Sequence, residues 1–393
     1  MMPENFVEKE LDDLGALVAA KVKSPGTAVM VFVDATAFLS DLLKAFYKPG
    51  SSLIAAGHVT PEVQLAAHRA DIGLMETLGV SPFSADPEAA AAAVRSPQDI
   101  IYVANPNRVT GANFSLPDLQ LLAQAVPQGM LIVDEHYFDY LGITGVPLVE
   151  LLTNVVILRS FAASPAITSH DIGYVITGPE TVNTVRECLP SKPISSMVRQ
   201  TVAVTCTDGE ALVDHLRQTH EESLRLALAL SKLNVQSRLT ATDFLLLRVA
   251  DTKLAGNFLA RYKVPIDNLD GYPLLENYLR YRVQAGHVND RLIEAFAKMP
   301  PDFYVTRSVD RRATTLRARS QGTSSVALTE TGAGVTEASP AVTRPTSATR
   351  YAALTAGSRN RPQAPLSEGM TRRPAAVPGR TRVKSNSTKQ TTR

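Results

Sequence analysis

The chain has 393 residues, 45% of them apolar, and carries 40 Lys and Arg against 38 Asp and Glu. That length and apolar content suffice for two domains around a large buried core. With only Cys188 and Cys206 there is no disulfide framework, and no apolar run reaches the roughly 18 residues of a membrane span.

Residues 1–24 read as an amphipathic helix, with Val7, Leu11, Leu14 and Val18 on one stripe and five acidic residues elsewhere. This is not the pattern of a secretory leader, so a cytoplasmic location away from membranes is expected. Ala28–Val33 reads as a short buried strand and Ala37–Tyr47 as a helix. A strand at Leu53–Ala56 and a helix over Pro61–Leu78 follow. Ile100–Ala104 is a strand running into the turn Asn105-Pro106-Asn107, and Ser115 caps the next helix. Met130–Asp134, Val155–Arg159 and Gly173–Gly178 are further apolar strands. Strands alternating with helices predict an α/β fold with a mostly parallel sheet covered on both faces.

Glu210–Leu233 is a long helix suited to connecting two domains. Phe244–Val249, Tyr278–Val283 and a helix over Asp290–Met299, capped by Asn289, predict a small α+β domain. The expected organisation is a helix at 1–24, a large α/β domain at 25–207, a connecting helix at 208–233, a small domain at 234–306 and a tail at 307–393. From Ser308 to Arg393 there are fifteen Lys and Arg and four Asp and Glu, a net of +11 that leaves −9 on the first 307 residues. The tail is rich in Thr, Ser, Ala, Arg and Pro, with Tyr351 its one aromatic, and is expected to be disordered. Its charge suits a solvated spacer, an acidic partner or nucleic-acid phosphates. The lack of further aromatics argues against base-stacking readout.

Four segments carry a family resemblance. Asn105-Pro106-Asn107-Arg108-Val109-Thr110-Gly111 is close to N-P-N-N-P-T-G, and Leu131-Ile132-Val133-Asp134-Glu135-His136-Tyr137 is close to V-V-D-E-A-Y. Arg159-Ser160-Phe161-Ala162-Ala163-Ser164-Pro165 is similar to R-T-F-S-K-A-F; Asp171, eight residues past Ala163, falls where an arginine is expected, and Gly173-Tyr174 follows. Leu279 to Leu292 is similar to L-R-I-T-V-G-T-R-E-E-N-x-R-L. In order and spacing these resemble fold-type I pyridoxal-phosphate aminotransferases of class I and II, most like the histidinol-phosphate branch, over residues about 28 to 299.

The resemblance implies a pyridoxal-phosphate-transferase fold and a role for each matching position. Asp134 falls where a carboxylate keeps the cofactor's pyridine nitrogen protonated, Tyr137 where a tyrosine bonds the ring hydroxyl, and Ser160 where a hydroxyl meets the phosphate. Arg280 falls at the arginine that grips a substrate carboxylate. Plainer readings are a strand-end Asp134, a core Tyr137 and a surface-paired Arg280. The departures are as specific: Ala163 replaces the Schiff-base lysine, which supplies both the covalent link and the base that moves a proton. Asp171 reverses the charge of the phosphate-binding arginine. Val33-Asp34-Ala35-Thr36 replaces a G-N-G-S turn, with Asp34 placed to cap the next helix. Arg108 and Val109 replace asparagine and proline, and no aromatic lies between Gly57 and Ala70 to stack on a ring. Lys192 is nineteen residues past Gly173 and is no displaced equivalent; His136 and His170 are off the lysine position and read as structural.

These departures lead to the expectation of an aminotransferase-like pseudoenzyme with no catalytic residue, no metal and no cofactor. Asp134, Tyr137, Ser160 and Arg280 are then vestigial, and the protein is a scaffold or regulatory subunit. The resemblance implies a homodimer, or a heterodimer with a true aminotransferase. Two alternatives stay open: a pyridoxal-phosphate enzyme of this class, covalent or not, and a nucleic-acid-associated protein acting through its tail.

Overall fold

Apolar runs that are buried on both faces become the central strands of a seven-stranded sheet. In the computed structural model, described for residues 4–161, 171–189, 195–207 and 209–305 and for side chains from residue 13 onward, α1 (Glu4–Val22) leads into β1 (Ala28–Val33) and α2 (Ala35–Phe46). Next come β2 (Leu53–Ala56), α3 (Pro61–Ala70), β3 (Leu74–Thr77), α4 (Pro87–Ala92), β4 (Ile100–Ala104), α5 (Leu116–Ala125) and β5 (Met130–Asp134). Two short helices, α6 (Phe138–Leu141) and α7 (Val146–Leu151), precede β6 (Val155–Ser160), β7 (Ile172–Thr177), α8 (Val182–Glu187) and α9 (Ser196–Thr207). The strand order is β1-β7-β6-β5-β4-β2-β3. Strands β2 to β6 pair in parallel, while β7 is antiparallel to both its neighbours.

All five residues of β4 and of β5 are buried, as expected of a parallel sheet covered on both faces. Successive side chains alternate between two cores. Ile101, Val103, Leu131 and Val133 face one; Ile100, Tyr102, Ala104, Met130 and Ile132 face the other, against Phe38, Leu42 and Leu43 of α2. Local chemistry starts the helices where the sequence places them. Asp34 caps α2 by accepting the Ala37 N–H, and Ser115 with Asp118 forms a capping box on α5. Leu14 and Val18 of α1 are buried; Val7 and Leu11 lie outside the described side chains.

The rest of the described chain is α10 (Glu210–Lys232), β8 (Ser237–Leu239), β9 (Phe244–Arg248), α11 (Thr252–Arg261), β10 (Asp267–Asn268), β11 (Tyr278–Arg282) and α12 (Gly286–Lys298). Its strands make an antiparallel sheet in the order β10-β11-β9-β8. Leu226 and Leu230 of α10 pack with Leu245, Leu247, Leu279, Tyr281, Leu292 and Phe296 into a third core.

Two sequence expectations fail for physical reasons. The helix over 61–78 stops at Ala70, because Asp71 takes a left-handed φ of 58° that closes it. Leu74–Thr77 then pairs alongside β2 as an edge strand. Asn289 does not cap the last helix, which starts earlier, at Gly286. Asn289 is fully buried within it, accepting from the Tyr281 hydroxyl at 2.8 Å and donating to Glu222 at 2.8 Å. Ala163, His170, Lys192 and the tail at 307–393 lie outside the described residues. Among the described residues, no helix is long and apolar enough to cross a membrane, and no cluster of three His, Cys, Asp or Glu side chains is placed to hold a metal.

Candidate functional site

Parity along β5 decides where its last residue points. Met130 and Ile132 face the core under α2, so Asp134, two residues on, faces the same way, at the carboxyl ends of the parallel strands where open α/β sheets bind ligands. There it lines a cavity of about 400 Å³ together with Phe32, Val63, Leu158, Arg108, Ser160 and Asp171. Asp134 Oδ2 accepts the Tyr102 hydroxyl at 2.6 Å and Oδ1 accepts the His136 backbone N–H at 3.0 Å. The Arg108 guanidinium lies 3.6 Å from Oδ2. Burial works most strongly against the charge on Arg108, but the Asp134 carboxylate, joined by Tyr102, Tyr137 and Glu62, outweighs it and holds the guanidinium above its ordinary pKa. Burial and the neighbouring Asp134 charge push the Tyr102 hydroxyl well up, so it stays a donor.

The loop that carries Arg108 is built by the asparagines of its motif. Asn105 bonds both backbone groups of Phe114, and Asn107 Oδ1 accepts the Val109 and Thr110 N–H groups while its amide donates to His58 O at 2.7 Å. Gly111 closes the loop at φ 74°, where a Cβ would also meet the Thr240 side chain at 2.6 Å.

At the other end of the cavity, α2 begins. The positions that the resemblance ties to a phosphate do meet there, but with altered residues. Asp171 Oδ2 accepts the Ala35 N–H at 2.9 Å, and its backbone oxygen accepts the Asp34 N–H at 3.0 Å. Burial raises the Asp171 carboxyl, with Asp34 adding repulsion. Ser160 ends β6 opposite Gly173 of β7, whose missing side chain lets Phe32 approach the strand.

Beneath the strand ends, Glu135 is fully buried and binds Arg159 at 2.8 Å, the Gly145 N–H at 2.6 Å and the Thr144 hydroxyl at 3.0 Å. Arg159 also stacks over Phe138 at 3.5 Å. This network fixes the turn after β5, and with it His136 and Tyr137.

A second cavity, of about 480 Å³, opens beside the first and shares Glu62, Arg108 and His136 with it. Tyr137, Arg280 and Arg282 line it. Tyr137 is buried edge-on to His136, Tyr140 and Phe244, and burial together with the nearby Asp243 carboxylate pushes its hydroxyl up. Arg280 is held by Asp267 Oδ2 at 2.9 and 3.0 Å and by the Arg108 carbonyl at 2.8 Å. Burial, then the charges of Arg108 and Arg282, hold His136 well below its ordinary pKa, so its imidazole is neutral.

The structure thus brings Asp134 and Ser160 to one cavity and Tyr137 and Arg280 to its neighbour. Sequence reasoning missed Tyr102, Glu62 and Arg282, and took His136 as structural although it lines both cavities. Tyr102 had a signal in its parity: it stands two residues before Ala104, which pairs directly with Asp134.

Residues 9–298 match the family model for aminotransferases of class I and II, so the chain belongs to that family. Among curated relatives, the histidinol-phosphate aminotransferase of Chlorobaculum tepidum is 26% identical over 212 residues, 53% of this chain and 60% of that one. That of Paracoccus denitrificans is 28% identical over 242 residues, 59% of this chain and 65% of the relative. The match therefore spans less than two thirds of either relative's length. Among solved structures, histidinol-phosphate aminotransferase from Sinorhizobium meliloti in complex with pyridoxal-5'-phosphate superposes with a TM-score of 0.64 at 17% identity, covering 74% of this chain and 83% of that one. L-threonine-O-3-phosphate decarboxylase from Porphyromonas gingivalis gives 0.61 at 18%, covering 75% and 94%. Two different activities share this fold, so the fold alone does not name a reaction.

These findings overturn the expectation that the chain carries no cofactor; they point to pyridoxal phosphate. The residues present accommodate it in outline. The first cavity is of small-ligand size, has apolar walls in Phe32, Val63 and Leu158, and ends in a carboxylate held by Tyr102, with Ser160 and Arg108 as donors. The discordant group is Asp171, whose carboxylate already takes an N–H at the helix start.

Proposed function

We propose that this aminotransferase-family protein holds pyridoxal phosphate without a covalent link and does not transaminate, and that it serves as a regulatory or scaffold subunit. The observation that carries the reading is the missing amine. No lysine occurs between Ser160 and Gly173, where the family register puts Ala163, and among the described residues none lines either cavity. A primary amine is needed both to bond the cofactor's aldehyde and to carry a substrate proton. The alanine side chain is a methyl group and has no amine to do either.

When bound, the cofactor would supply an electron sink for amino-acid chemistry. Asp134 would face its ring nitrogen, with Tyr102 fixing the carboxylate. Arg108 would offset negative charge from the side, and Ser160 with the first turn of α2 would take the phosphate. Asp171 works against that last contact, because it places a carboxylate at the same helix start.

One observation favours a second reading, an enzyme that uses the cofactor non-covalently. His136 presents a neutral imidazole to both cavities and can accept a proton at its unprotonated ring nitrogen. Titration with pyridoxal phosphate, with borohydride then added to one sample and an amino acid to another, separates the readings. The proposal expects saturable binding, no covalent mass gain on a cavity residue and no 2-oxo acid. Release of 2-oxo acid overturns it in favour of the second reading.

A further inference from the structure

A carboxylate holds a proton on a neighbouring pyridine nitrogen through its net negative charge, and a cation beside it cancels that hold. At Asp134 the charge is met three times over. Oδ2 accepts the Tyr102 hydroxyl at 2.6 Å, Oδ1 accepts the His136 backbone N–H at 3.0 Å, and the Arg108 guanidinium lies 3.6 Å from Oδ2. The first two donors carry no net charge. Arg108 carries a full one, at a position where the family motif has a neutral asparagine.

The other groups on the wall of the first cavity do not undo this. Glu62, at the start of α3, also acts on Arg108, but more weakly than Asp134 does, so most of the cation's field falls on Asp134. Arg159 is paired with the buried Glu135. Asp171 stands at the other end of the cavity, bonded to the Ala35 N–H at the start of α2, and burial draws its carboxyl toward the protonated form. The His136 imidazole is neutral and adds no charge. The loop that holds Arg108 in place is itself fixed by Asn105 and Asn107, so the cation is built into the site.

We infer that Arg108 acts through Asp134 as a positioning residue for a proton: by neutralising that carboxylate it leaves the ring nitrogen of bound pyridoxal phosphate unprotonated. Any proton the ring carries in water passes to solvent on binding, and the lone pair stays on nitrogen. The inference rests on the cofactor reading above and deepens it, because an unprotonated ring is a poor electron sink. The site is then inactive for two independent reasons, the missing amine at Ala163 and the cancelled charge at Asp134.

Full-length protein loaded with pyridoxal phosphate that carries an isotope label at its ring nitrogen tests this by nitrogen NMR at neutral pH. The free cofactor, titrated in solution, fixes the protonated and unprotonated limits. Wild type is expected at the unprotonated limit. Arg108→Asn restores the neutral side chain of the family motif and is expected to move the resonance to the protonated limit. Adding Asp134→Asn to that variant should move it back. Asp134 keeps its Tyr102 and His136 bonds in Arg108→Asn, so the fold is expected to hold, with the melting temperature as the check; should it not hold, the wild-type resonance alone decides. A protonated ring in the wild-type complex, or a resonance that a folded Arg108→Asn protein leaves in place, overturns this inference alone. Failure of wild type to bind pyridoxal phosphate overturns the cofactor reading, and this inference with it.

Discussion

The Asp171 carboxylate accepts the Ala35 N–H at 2.9 Å, so the first turn of α2 already faces an internal anion. A bound phosphate must share that helix start with a like charge. Asp171→Asn keeps an acceptor but removes the charge, and is expected to strengthen pyridoxal phosphate binding by about 1 kcal/mol, roughly fivefold. An absorbance titration of both proteins measures this; weaker binding by the variant would show the carboxylate to be helpful rather than opposed.

Glu135 is fully buried and bonded to Arg159, Gly145 and Thr144. Truncating one partner of such a pair leaves the other charge uncompensated, at a cost of about 3–5 kcal/mol. Glu135→Ala is expected to lose that much in urea unfolding, and Glu135→Gln less, since it keeps hydrogen-bonding atoms. A loss below about 1 kcal/mol for the alanine variant would mean that the network does not hold the turn.

His136 gives a pH signature. Its folded pKa is depressed well below 6.5, so between the two values the unfolded chain binds a proton that the fold does not. Stability is therefore present above about pH 6.5 and falls as the pH drops toward the folded value, by up to about 1.4 kcal/mol per pH unit. Unfolding at about pH 7.5 and about pH 5.5 should show a steeper loss for wild type than for His136→Gln. Parallel losses would place the imidazole in a solvated setting.

Ala163→Lys returns an amine to the position in the family register. After pyridoxal phosphate and borohydride, this variant is expected to carry a mass gain in the peptide containing residue 163, and wild type none there or on any cavity residue. A wild-type label on a cavity residue would defeat the non-covalent reading.

Much of the fold was legible because central parallel strands leave a simple trace. Ile100–Ala104 and Met130–Asp134 are apolar on both faces, and their ends place Asp134. The edge was harder: Leu74 and Met75 continue the apolar spacing of α3, and only Asp71 and Gly73 mark the break. Asn289 looked like a cap because asparagine often is one, while its partners Tyr281 and Glu222 come from other elements. In the site, single positions such as Asp134 and Asp171 could be placed by motif. The charge that Arg108 sets against Asp134, and the spent donors of Arg280, depend on contacts between segments far apart in sequence.

Arg280 makes one bond whose consequence is mechanical. Its guanidinium reaches from β11 across to the Arg108 carbonyl at 2.8 Å, a link between residues 172 apart in sequence. The same arginine is anchored to Asp267 on β10. The small antiparallel sheet is thus tethered to the loop that carries Arg108. A load on that loop is passed as tension to a sheet edge remote from it in sequence, where slowed amide exchange along β10 and β11 would report it.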